Sequence, residues 1–129
     1  MSAVDTVTFD LWQTLILDDR ELGSARTRRR LEGALKALTD AGYDFSPEQL
    51  QEAYRSCFRT GRAIHAEEKD ITFDEQVNIF IDNIDENLSQ RLDPQVAERI
   101  SYWYAEAFFD FPPPVASDAY EVLEEVRRM

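Results

Sequence analysis

Between Arg20 and Asp110 the chain is punctuated by helix start and stop signals, and these restrict its middle to a few antiparallel helices. Ser46-Pro47-Glu48-Gln49 joins an N-cap hydroxyl, a proline suited to the first helical position, and a glutamine placed to reach back to the cap N–H. Thr72-Phe73-Asp74-Glu75 is a second capping box. Asp93-Pro94 opens a further segment, and Phe111-Pro112-Pro113-Pro114 closes it, because proline has no N–H to donate to a helix. Gly42 after Asp40-Ala41 reads as a C-terminal stop. Between these marks apolar residues recur at helical spacing. Leu31, Leu35 and Leu38 mark a first helix ending near Ala41, and Leu50, Ala53, Tyr54, Cys57, Phe58 and Gly61 a second running to about Glu68. Phe73, Val77, Phe80, Ile81, Ile84 and Leu88 make the third stripe; Val96, Ile100, Trp103, Tyr104, Ala107 and Phe108 make the fourth. Four helices with short connections predict a bundle.

The N-terminal stretch has a different character. Val4 to Phe9 mixes β-branched and aromatic residues, which predicts a short strand with Asp10 at its carboxyl end. In open α/β sheets the ligand crevice lies beyond the carboxyl ends of the strands, and a carboxylate there can attack phosphorus or a halogenated carbon. Thr14 can tie down the loop that follows through its hydroxyl. Aspartate is equally a common turn residue, so composition and spacing leave both readings of Asp10 open.

The segment Phe9-Asp10-Leu11-Trp12-Gln13-Thr14-Leu15 resembles the first motif of the haloacid dehalogenase-like hydrolase superfamily, Asp-x-Asp-x-Thr in its phosphatases and Asp-x-Tyr-Gly-Thr in its dehalogenases. Asp10 and Thr14 match. The resemblance implies that Asp10 is the nucleophile, that Asp10 and the carbonyl of Trp12 help to hold Mg²⁺, and that Leu11, Trp12 and Thr14 contact a small anionic substrate. Trp12 stands where phosphatases carry a second aspartate that protonates the leaving group, which an indole cannot do. A halide leaves without a proton, so Trp12 is easier to reconcile with a haloacid substrate than with a phosphate ester.

The order of strand, catalytic turn, four helices and proline-rich return is similar to members that insert a helical cap directly after the first strand. The implied fold is mostly α, a fragment of an α/β protein: the first strand of a Rossmann-like core and its turn in 1–17, a helical cap in 18–111, and a return linker and core helix in 112–129. Tyr120, Leu123 and Val126 would form one face of that last helix. The family's second-strand Ser or Thr, its lysine and its later acidic pair have no counterpart here, so this chain is expected to resemble only the N-terminal part of a member and to be inactive by itself. The single strand would leave an unpaired edge able to join two chains into a homo-oligomer. The alternative is a non-catalytic helical interaction module that keeps a remnant of the motif.

Charge and composition narrow the partners. With 26 acids against 14 Lys and Arg, a net charge of −12 repels phosphate backbones, which excludes a nucleic-acid role. No run of 18 uncharged apolar residues and no apolar leader behind Met1 is present, and Cys57 is the one cysteine, which predicts a cytoplasmic protein away from membranes. Arg26, Arg28, Arg29 and Arg30 form the one basic cluster, read as a solvated helix face paired with local Glu, or less simply as a guide for an anionic substrate. His65 lacks partners at metal-binding spacing and reads as surface or satisfied core, and Cys57 reads as a small buried apolar residue.

Overall fold

The computed structural model describes residues 6–129 and orders them as α1 (Arg20–Asp40), α2 (Pro47–Ala66), α3 (Phe73–Ile84), α4 (Leu88–Arg91), α5 (Pro94–Asp110) and α6 (Ala119–Arg128). Both capping boxes form. Ser46 Oγ accepts from the Gln49 N–H at 3.2 Å while Gln49 Oε1 accepts from the Ser46 N–H at 2.8 Å. Thr72 Oγ1 accepts from the Glu75 N–H at 3.2 Å, and the N–H and hydroxyl of Thr72 both donate to Glu75 Oε2, which holds that carboxyl below its ordinary range. Asp19 caps α1 by accepting from the Leu22 N–H, and Asp93 caps α5 by accepting from the Gln95 N–H. The third stripe ends sooner than its periodicity predicts: Asn87 takes a left-handed φ of 55°, so Leu88 begins α4. Asp82 secures that turn by accepting from both the N–H and the hydroxyl of Ser89.

Packing follows the apolar stripes. α1 lies along α5 and α2 along α3, and the two pairs meet through α1 with α2 and α3 with α5. Leu38, Leu50, Phe80, Ile81, Leu88 and Ile100 are fully buried between them. Phe58, Phe73 and Phe108, expected to face inward, stay substantially exposed. The closest approach of α1 to α5 is set by Gly33, where an added Cβ would fall 2.6 Å from Trp103 Cβ and 2.8 Å from its Cδ1. The Trp103 Cβ is fixed by the α5 backbone and cannot swing away. Gly33→Ala should therefore destabilise the protein by about 1–3 kcal/mol despite alanine's better helix propensity. Gly23 in the same helix has nothing within 4 Å of an added Cβ, and Gly23→Ala should raise stability by about 0.5–1 kcal/mol. Urea unfolding of both variants checks this opposition of sign.

The expected strand and α/β class are overturned. The described residues contain no β-strand, only isolated bridges between Trp12 and Ile16 and between Ile16 and Val115, and residues 6–11 are irregular. Val4 and Asp5, the start of the expected strand, lie outside the described residues. A strand is stable only beside another, and helices that satisfy their own backbone groups offer no edge to pair with. The described fold is all-α, and Val7 and Phe9 are exposed. Helix α6 forms where the sequence places it, with Ala119 buried and Tyr120 and Leu123 exposed. No described helix is long and apolar enough to cross a membrane.

Candidate functional site

Asp10 sits at the head of a closed turn. The N–H of Leu11 donates to its Oδ1 at 2.9 Å, and the Thr14 hydroxyl approaches Oδ2 at 3.5 Å. The Leu11 carbonyl accepts from the N–H groups of Leu15 and Ile16 at 3.1 and 2.9 Å, and the Gln13 N–H donates to the Ile16 carbonyl at 2.7 Å. Closing so tight a loop puts Gln13 at a φ of 60°, a left-handed conformation that costs a residue with a Cβ about 1–2 kcal/mol. Its side chain offsets part of that cost by donating to the Asp18 carbonyl at 3.0 Å. The carboxylate is exposed, with the Thr14 hydroxyl and the Leu11 N–H as its contacts.

The turn adjoins both linkers of the helical bundle. The Leu17 N–H donates to the Pro114 carbonyl at 2.9 Å and the Ala116 N–H to the Leu15 carbonyl at 2.8 Å, so the chain leaves for α1 and returns from α5 side by side. Arg26 locks this junction. Its Nη1 and Nη2 grip the Asp18 carboxylate at 2.8 and 2.9 Å, its Nε donates to the Phe111 carbonyl at 2.7 Å, and its guanidinium lies 4.7 Å from the centre of the Phe108 ring. The side chain is buried, and the hydrogen bonds from Arg26 hold the Asp18 carboxyl below its ordinary value.

Three of the four arginines of the basic cluster are thus tied to distant groups rather than to local Glu, while Arg28 stays exposed. Arg29 bonds Asp110 at 2.8 Å and lies over the Trp103 ring at 4.4 Å, and Arg30 donates to the Tyr104 carbonyl and the Tyr54 hydroxyl, both at 2.9 Å. Sequence marks Phe111 only as a helix stop and gives Asp18 no role, because the one side chain that joins them, Arg26, stands 85 positions from Phe111. Helical phase does flag Arg26, which shares the buried side of α1 with Gly33 and Ala37.

A groove of about 970 Å³ opens between α1 and α2, floored by Leu31, Leu35, Leu50, Tyr54, Phe58 and Phe108. Gly23, Ser24 and Thr27 of the N-terminal half of α1 line its wall. Trp12 packs against Phe108 with ring centres 6.3 Å apart, so the Asp10 turn lies beside the groove's floor. Elsewhere, His65 is exposed and its Nδ1 contacts the Lys69 carbonyl at 3.1 Å. Cys57 is free and buried, and burial pushes its thiol up. The Tyr104 hydroxyl is buried without a hydrogen-bond partner, and burial pushes it up as well.

The implied Mg²⁺ is poorly served by these residues. It requires near-octahedral oxygen ligation, and the turn offers one carboxylate, already bonded to its own loop, and the Trp12 carbonyl. No group of three or more His, Cys, Asp or Glu side chains among the described residues comes together around an ion. The donor set does not fit the metal without further ligands. No protein-family model, curated protein or solved structure matches this chain.

Proposed function

We propose that the chain carries the nucleophile of a haloacid dehalogenase-like hydrolase, with Asp10 attacking a small phosphate ester or haloacid and the helical bundle covering the reaction. The observation that supports this reading is the junction: the bundle departs and returns through paired linkers directly after the turn that presents Asp10. Oδ1 is held by the Leu11 N–H, while Oδ2 has only the long Thr14 contact and is the freer oxygen to attack. Attack on a haloacid forms an ester between Asp10 and the α-carbon and expels halide; attack on a phosphate ester forms an acyl phosphate and expels an alkoxide that needs a proton. Trp12 has no proton to give at that point. Lysine and acidic residues from elsewhere must complete the site, so the test uses a fusion of this chain to the lysine- and acid-bearing portion of a haloacid dehalogenase-like hydrolase, assayed with 2-chloropropionate, p-nitrophenyl phosphate and the alkyl ester glycerol 2-phosphate.

In that fusion Trp12→Asp should raise turnover of glycerol 2-phosphate, whose alkoxide needs a proton, by roughly tenfold or more, without a matching gain on the haloacid. Steady-state kcat for the two substrates measures it. Equal effects on both, or none, would show that a missing leaving-group acid is not what limits phosphate release. The groove between α1 and α2 favours a second reading, in which the bundle binds a ligand without turning it over.

A further inference from the structure

Arg20, Arg26, Arg28 and Arg30 border the α1–α2 groove against a single acid, Glu32, in a chain whose acids outnumber its Lys and Arg by 26 to 14. Such a local inversion of charge over an apolar floor concentrates anions. The four arginines are not equivalent. Arg26 is neutralised by Asp18, whereas Arg30 is anchored by the Tyr104 carbonyl and the Tyr54 hydroxyl, two neutral acceptors, and pairs with no carboxylate among the described residues. Its guanidinium also lies 5.0 Å from the centre of the Tyr104 ring. The planar fork is therefore already oriented, and a ligand that meets it gains charge-assisted hydrogen bonds without ordering a loose side chain. Beside it the wall is aromatic: Phe58 makes an edge-to-face contact with Tyr54 at 4.9 Å, yet remains 49% exposed on the groove.

We propose that this groove binds a small organic anion with one oxyanion head and an aromatic or acyl body, the head on Arg30 and the body across Tyr54 and Phe58. The volume of about 970 Å³ lies in the range that encloses ligands of drug-like size, larger than a haloacid or inorganic phosphate would fill. The inference concerns recognition alone and holds whether or not Asp10 is a nucleophile.

The test titrates the full chain with 2-naphthoate, 2-naphthyl phosphate and the neutral 2-naphthalenemethanol, reading affinity by calorimetry and location from the methyl resonances of Leu31 and Leu35. At least one anion should bind saturably and shift both leucines, with the alcohol about tenfold weaker or more. The tighter anion identifies the head as carboxylate or phosphate. Arg30→Gln should weaken anion binding by about tenfold, and Arg28→Gln on the exposed rim, which leaves the Tyr54 and Tyr104 bonds intact, by about two- to fivefold. Arg59→Gln, whose partner is Glu52 outside the groove, should leave affinity unchanged. No saturable shift at millimolar anion, equal affinity for the alcohol, or shifts confined to residues outside the groove overturns the proposal.

Discussion

Asp10→Asn should abolish turnover of both 2-chloropropionate and p-nitrophenyl phosphate in the fused chain, with a loss of roughly a thousandfold or more in kcat. An amide oxygen is a far poorer nucleophile than a carboxylate oxygen, and its nitrogen cannot attack as a base-free neutral group. The substitution spares the fold, because the Asn carbonyl still accepts from the Leu11 N–H as Asp10 Oδ1 does at 2.9 Å. The long Thr14 contact is the only bond placed at risk, and the backbone bonds from Leu15 and Ile16 to the Leu11 carbonyl close the turn independently. Unfolding should therefore be unchanged while activity disappears. If the variant keeps most of its rate, Asp10 is not the nucleophile, whatever its neighbours resemble.

Arg26→Met should lower the melting temperature by about 10 °C. The methionine fills similar space but strands the Asp18 carboxylate and the Phe111 carbonyl, both of which now take their hydrogen bonds from one buried guanidinium. Arg26→Lys should recover little, since an ammonium cannot grip a carboxylate with two donors and a carbonyl with a third in one plane. The effect is pH-dependent with a defined sign. Asp18 titrates below its ordinary value in the folded protein, so its pairing contributes full stability above the unfolded value of about 4 and loses it as pH falls toward the lower folded value. The melting difference between wild type and Arg26→Met should accordingly be constant near neutrality and shrink below about pH 4. A difference that persists undiminished in acid would assign the role of Arg26 to packing against Phe108 rather than to its charge.

The contrast between Ser46 and Arg26 explains which parts of the molecule are legible in sequence. A cap acts on an N–H three residues away, so Ser46 with Gln49 and Thr72 with Glu75 announce their helices within four positions. The buried stripe Val77, Phe80, Ile81 and Ile84 follows from a period that local spacing records. Arg26 answers to Asp18 and Phe111, the latter 85 positions away, and nothing near Arg26 encodes that bond. The strand expected over Val4 to Phe9 fails for the same reason in reverse: its residue types suit a strand, but strand formation is decided by a neighbour, and the described residues supply none. At the candidate site the Asp10 turn was readable because its bonds run within Asp10 to Ile16, whereas the groove depends on how far α1 and α2 stand apart.

The pairing of Leu15 and Leu17 with Ala116 and Pro114 also makes the helical bundle portable. A segment whose two ends meet closes a loop of negligible span, so it can be grafted into a surface turn of an unrelated host, or cut at the Gly42 turn and rejoined across its own linkers as a circular permutant, without stretching the core between α1 and α5.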